Sequence, residues 1–147
     1  MQIAVLNGPN LNLLGLREPH IYGHVRLEDI EAAVRTRAGE AGVGISWYQT
    51  NHEGEFVDLI QGLPGSADGS LINAAALTHG SLALRDALLA VDVPFVEVHL
   101  SNIFAREEER RHSVIADLAI GVIAGFGAAS YLLALDALLG YLRERDT

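Results

Sequence analysis

The chain has 147 residues, enough for one domain with its own core, and is expected to form a single domain over 1–147. A net charge of −9 argues against nucleic acid as a partner, because phosphate binding needs a basic face; a few arginines in a pocket can still hold a small anion. All 10 basic residues are Arg, which excludes lysine Schiff-base chemistry and a lysine-dependent phosphate loop, and with no Cys there is no thiol nucleophile, disulfide or thiolate metal site. A charged fraction of 20% is slightly low for so small a body and suits a surface partly hidden in an oligomer.

The chain opens on a strand pattern, Gln2 to Leu6, with no basic and apolar leader ahead of it. No apolar run is long enough to span a bilayer, so a cytoplasmic location away from membranes is expected. Leu27, Ile30, Val34, Ala38 and Ala41 then recur at helical spacing until Gly42 and Gly44 stop them. Ile45 to Gln49 reads as a second strand, followed by a helix carrying Phe56, Leu59, Ile60 and Leu63, and Pro64 to Gly69 as a surface turn. Ser70 to Ala74 is a third strand, Ser81 to Val91 a third helix, and Phe95 to Val98 a fourth strand. Gly121 to Ala124 is a fifth strand, and a last helix from about Ala128 to Arg143 shows Tyr131, Leu135, Leu138 and Leu142 on one face.

Five strands alternating with helices predict a flavodoxin-like, doubly wound five-stranded parallel sheet in three α/β/α layers. In such sheets the ligand lies beyond the carboxyl ends of the strands, here after Leu6, Gln49, Asn73, Val98 and Ala124.

The connection after the first strand, Asn7 to Gly23, is long for a βα loop. Gly15 and Gly23 bracket Arg17 and Tyr22, which suits a segment that closes over a ligand. Taken by itself it reads equally as a surface loop whose Arg and Tyr pack and meet solvent. Asn73 and His79 stand at the ligand end of the third strand, though a lone His79 there also reads as a helix-terminal histidine bonded to backbone. Glu97 and His99 lie two apart on a strand and so share a face. A carboxylate beside an imidazole fixes its tautomer and suits it to act as a general acid. In the charge run from Arg106 to His112, Arg106 and Arg110 stand at helical spacing and could reach an anionic site together; the same run also reads as a solvated helix face. No H-E-x-x-H, G-x-S-x-G or G-x-G-x-x-G motif is present, and the remaining inventory of Tyr, Arg, Asn, His, Glu and Ser suits acid–base chemistry without a cofactor.

These segments, in order and spacing, closely resemble the type II 3-dehydroquinate dehydratases over nearly the whole chain. The motifs are Asn7-Gly8-Pro9-Asn10-Leu11 with Arg17-Glu18 and Tyr22-Gly23; Gln49-Thr50-Asn51-His52-Glu53-Gly54; Asn73-Ala74; Thr78-His79; Glu97-Val98-His99-Leu100-Ser101-Asn102; and Arg110-Arg111-His112-Ser113. The resemblance implies a single catalytic domain that dehydrates 3-dehydroquinate to 3-dehydroshikimate by anti elimination through an enolate, without metal or cofactor. It implies Tyr22 as base, activated by Arg17 with help from Arg106, and Asn10 holding a water on the enolate oxygen. His99, oriented by Glu97, is the implied acid. Leu100 and Ser101 would bind the substrate carboxylate, and Asn73, His79 and Arg110 the ring hydroxyls, with Glu18 in support. Asp86 matches a residue that reaches a neighbour's site, in an assembly that is a dodecamer of trimers.

The chain departs from the family pattern at Gly80, where a hydroxyl residue is usual and the start of the third helix is expected to loosen. It departs also at Ser130, where Gly is common, and at Ala116-Asp117. The same reaction also serves quinate breakdown, and a non-catalytic flavodoxin-like binding domain is the reading from another class. That reading lacks a phosphate-cradling loop after the first strand, where Pro9, Leu13 and Leu14 stand instead.

Overall fold

A computed structural model describes residues 1–16, 20 and 23–147. The strands β1 (Gln2–Asn7), β2 (Gly44–Gln49), β3 (Gly69–Asn73), β4 (Phe95–His99) and β5 (Gly121–Ala124) form one parallel sheet in the order β2-β1-β3-β4-β5. That is the flavodoxin-like order expected from the sequence. Among the described residues, the helices α1 (Leu27–Glu40), α2 (Glu53–Gln61), α3 (Leu82–Val91) and α4 (Ala129–Arg145) complete the layers.

Alternation along each strand sorts the core into two halves. Ile3, Val5, Leu71, Val96 and Val98 pack with Ile30, Val34 and Ala38 of α1 and with Tyr131, Leu135 and Leu138 of α4. Ala4, Leu6, Ile72 and Phe95 pack with Phe56 and Ile60 of α2 and with Leu84 and Leu88 of α3. Because the central strands are covered on both faces, they read as unbroken apolar runs rather than as alternating ones. No described helix is long and apolar enough to cross a membrane.

Helix ends follow the signals in the sequence. Gly42, at φ +72°, takes the left-handed position just past α1, while the Val43 N–H bonds the Ala38 carbonyl at 2.8 Å. Ser81 caps α3 by accepting the Leu84 N–H at 3.1 Å and donates to Glu53 at 2.5 Å. Gly80 therefore does not leave that helix start loose. Ser130 is likewise absorbed: it is buried, and its Oγ accepts the Phe126 N–H at 3.0 Å. Asp117 pairs with Arg85 at 2.6 Å, and the hydrogen bond from Arg85 holds its carboxyl below the usual range.

Two expectations need correction. Gly69 is not part of a surface turn but the buried first residue of β3; a Cβ there would stand 3.1–3.2 Å from the δ-carbons of Leu138 and Leu142. The crossover from β4 to β5 holds no α-helix. It runs through short 3₁₀ turns at Ile103–Ala105, Glu108–Arg110 and Ala116–Leu118, so the helical face assumed for Arg106 and Arg110 does not exist.

Candidate active site

The carboxyl ends of β1, β3 and β4 open into a small cleft, where ligands of doubly wound sheets lie. Pro9, Asn10 and Leu11 line it from the first loop, and Asn73, Ala75, Ala76 and His79 from the third. His99, Leu100, Ser101, Ile103, Arg106 and Arg110 line it from the fourth.

The first loop is held from below. Asn10 has φ +70°, a left-handed conformation that asparagine tolerates better than most residues, and its N–H donates to Asn51 Oδ1 at 3.0 Å. Gln49 Nε2 bonds that same Asn51 oxygen at 3.1 Å and the Gly8 carbonyl at 3.2 Å. The motif around Gln49 to Asn51 thus braces the loop that presents Asn10. Gly8 meets the third loop directly: its N–H donates to the Asn73 carbonyl at 2.8 Å, and a Cβ on Gly8 would lie 2.4 Å from the Ala74 oxygen. A Gly8→Ala variant should lose about 1–3 kcal/mol of stability, as overpacked sites do, because only backbone can move out of the way. Urea midpoints check this; an unchanged midpoint contradicts the close approach.

At the end of β4, His99 Nε2 lies 2.5 Å from Glu97 Oε2, and both side chains are buried. The carboxylate can only accept, so Nε2 carries the proton and donates it. Ser113 donates to the other Glu97 oxygen at 2.7 Å and itself accepts the Ile115 and Ala116 N–H groups at 3.2 and 3.0 Å. The carboxylate thus has a donor on each oxygen, which fixes the imidazole it faces. Behind it, the Gly125 and Gly127 N–H groups bond the His99 and Leu100 carbonyls at 3.3 and 2.9 Å, tying this strand end to the last loop.

His79 ends the 3₁₀ turn Ala75–His79 and bonds backbone distant in sequence. It lines the cleft, and its Nδ1 donates to the His112 carbonyl at 2.7 Å. Arg106 and Arg110 reach the cleft although no helix carries them: Arg106 sits in extended backbone after one 3₁₀ turn, and Arg110 ends the next. Arg110 Nε is 2.5 Å from Glu107, which uses only one of the guanidinium's donors. Glu107 is held below the usual carboxylate range by its own backbone N–H and then by Arg110.

Asp86 is exposed on α3 and is not among the residues lining this cleft. Arg17, Glu18 and Tyr22 lie outside the described residues. The sequence reading gave no task to Ser113 or Tyr131, which bond Glu97 and Asn73 respectively. Ser113 stood in a quoted motif, and its polarity was the available signal; Tyr131 stood on an apolar helix face, where the pattern marks core.

Fold and cleft define a doubly wound parallel α/β protein with a buried carboxylate–imidazole pair facing a pocket edged by arginines. The family model for class II dehydroquinases matches residues 1–139. The chain belongs to that family. It is 60% identical over 146 residues to the 3-dehydroquinate dehydratase of Carboxydothermus hydrogenoformans, covering 99% of this chain and 95% of the relative. It is 58% identical over 143 residues to that of a Synechococcus strain, covering 97% of each. The crystal structure of type II dehydroquinase from Butyrivibrio crossotus superposes with a TM-score of 0.91 at 42% identity, over 94% of this chain and 97% of that one.

Proposed function

We propose that the cleft beyond β1, β3 and β4 is an active site in which this single catalytic domain eliminates water from 3-dehydroquinate through an enolate. As a member of the class II dehydroquinase family, the chain is a hydro-lyase forming 3-dehydroshikimate, the family's step in the shikimate pathway. The observation that supports this site most is the His99–Glu97 pair, buried at a strand end and open on one side to the cleft.

In this reading Tyr22 takes a proton from the carbon beside the substrate ketone, and the electron pair moves onto the ketone oxygen. Asn10 holds a water against that oxygen, where negative charge develops. As the enolate collapses, the new carbon–carbon double bond forms and the hydroxyl leaves. His99 protonates it as water. With Nε2 committed to Glu97, Nδ1 is the ring nitrogen left for this transfer, and the carboxylate compensates the charge of the imidazolium before it acts. Arg106 favours the phenolate with Arg17; Glu18 supports that loop. Leu100 and Ser101 receive the substrate carboxylate, while Asn73, His79 and Arg110 bind ring hydroxyls. Asp86, exposed on α3, completes the site of a neighbouring subunit in a homo-oligomer, a dodecamer of trimers.

The test is to incubate the protein with 3-dehydroquinate and follow the conjugated enone by ultraviolet absorbance, with and without prior chelation of metals. Turnover in both arms is expected. None in either overturns the reaction, and loss only after chelation overturns the cofactor-free form of it. Light scattering on the active protein checks the assembly; a fully active monomer removes the role given to Asp86.

A further inference from the structure

Tyr131 has no task in the reaction just described, yet its hydroxyl is the centre of a buried polar chain. The Ala75 N–H donates to Asn73 Oδ1 at 3.2 Å. Asn73 Nδ2 donates to Tyr131 Oη at 3.0 Å, and Tyr131 Oη donates to Asn7 Oδ1 at 2.6 Å. Asn7 Nδ2 then donates to the Tyr48 carbonyl at 2.9 Å. Tyr131, Asn7 and Asn73 are all buried, and the chain ties α4 to the carboxyl ends of β1 and β3.

The two ends give this chain one direction. A peptide N–H can only donate and a carbonyl can only accept. Turning the Asn73 amide over would set Nδ2 against the Ala75 N–H, and turning Asn7 over would set its oxygen against the Tyr48 oxygen. The link between them must therefore accept from Asn73 and donate to Asn7. A neutral hydroxyl does both at once. Burial pushes the Tyr131 phenol well above its ordinary pKa, so the proton that bonds Asn7 is retained.

The same chain holds strained backbone at the cleft. Ala75 has φ +52°, a left-handed conformation unfavourable for alanine, and its N–H is the one bound by Asn73. Asn73 and Ala75 both line the cleft. With Oδ1 on Ala75 and one Nδ2 hydrogen on Tyr131, one Nδ2 hydrogen of Asn73 remains for a ligand.

We infer that Tyr131 is a positioning residue: through its hydroxyl it fixes the Asn73 amide so that the remaining N–H meets an acceptor oxygen of the bound substrate. This rests on the proposed function, in which Asn73 binds a ring hydroxyl. Tyr131 acts through Asn73 and touches no reacting atom, so its loss weakens binding more than it slows chemistry.

The experiment is a kinetic double-mutant cycle on the full chain with Tyr131→Phe and Asn73→Ala. The Phe ring keeps its packing against Trp47, whose ring centre lies 5.9 Å away, and removes only the hydroxyl. Tyr131→Phe should raise KM about tenfold, the size of one lost hydrogen bond with its partners left buried, and lower kcat by less. Adding it to Asn73→Ala should do no further harm to KM. Leu135→Ala, a cavity in the same helix, should cost at least as much stability and leave KM alone. A KM for Tyr131→Phe within twofold of wild type, or additive effects in the double variant, overturns the inference. If Tyr131→Phe does not fold, Asn7→Leu replaces it in the cycle: it takes the acceptor away from the Tyr131 hydroxyl, and an unchanged KM is again decisive against. Wild-type protein inactive on 3-dehydroquinate sinks the functional reading instead, a separate outcome.

Discussion

A His99→Gln variant should fold and bind substrate, yet lose roughly 10²–10⁴ in kcat, the usual contribution of a positioned general acid. Glutamine can still donate to Glu97 from nearly the same place, so the buried carboxylate is not left without a partner. What it cannot do is hand a proton to a departing hydroxyl. Stopped-assay kcat and KM, with thermal unfolding as a control, separate the two possibilities: near-normal turnover would mean that His99 is only a structural partner of Glu97. Glu97→Gln sharpens the point. It keeps the shape but offers one oxygen where the carboxylate offers two, while His99 and Ser113 both require an acceptor. One donor loses its partner, and the imidazolium loses its compensating charge. The expected fall in kcat is about 10–100-fold, the worth of one hydrogen bond to a charged group.

Why the first of these positions was legible in sequence, and others were not, follows from how far apart the contacting residues lie. Glu97 and His99 are two apart, and the period of a strand alone brings them to one face. The sheet was equally open to reading, since Ile3 to Leu6 and Phe95 to Val98 are continuous apolar runs of strand length. Arg106 and Arg110 reached the cleft by a route the spacing did not describe. Their four-residue separation suggested a helix, whereas two 3₁₀ turns around an extended Arg106 bring them there. Gly69 looked like part of a turn because of the Pro and Gly around it, but the close approach of Leu138 and Leu142 is a long-range constraint that local composition does not carry. Tyr131 is the extreme case. It bonds a residue 124 positions away, and on a helix face of leucines its hydroxyl gave no local sign of purpose.

Tyr22→Phe should cost as much, again roughly 10²–10⁴ in kcat and with KM within a few-fold of wild type, because the phenolic oxygen is the proton acceptor in the proposed step. The described lining of the cleft gives this prediction its edge. Its ionisable side chains are His79, His99, Arg106 and Arg110, with no carboxylate among them. His99 is assigned as the acid, and His79 already donates Nδ1–H to a carbonyl, so His79 Nε2 is the rival base within the described residues. A pH profile checks how the phenol is activated. A free tyrosine titrates near about 10, so phenolate is scarce at neutral pH unless cations stabilise it. Removing a cation, as in Arg17→Ala, would raise the phenol's pKa; activity would then be lost at neutral pH and recovered as pH rises, moving the acidic limb of the kcat/KM profile to higher pH. Tyr22→Phe with near-normal turnover would transfer the base role to His79.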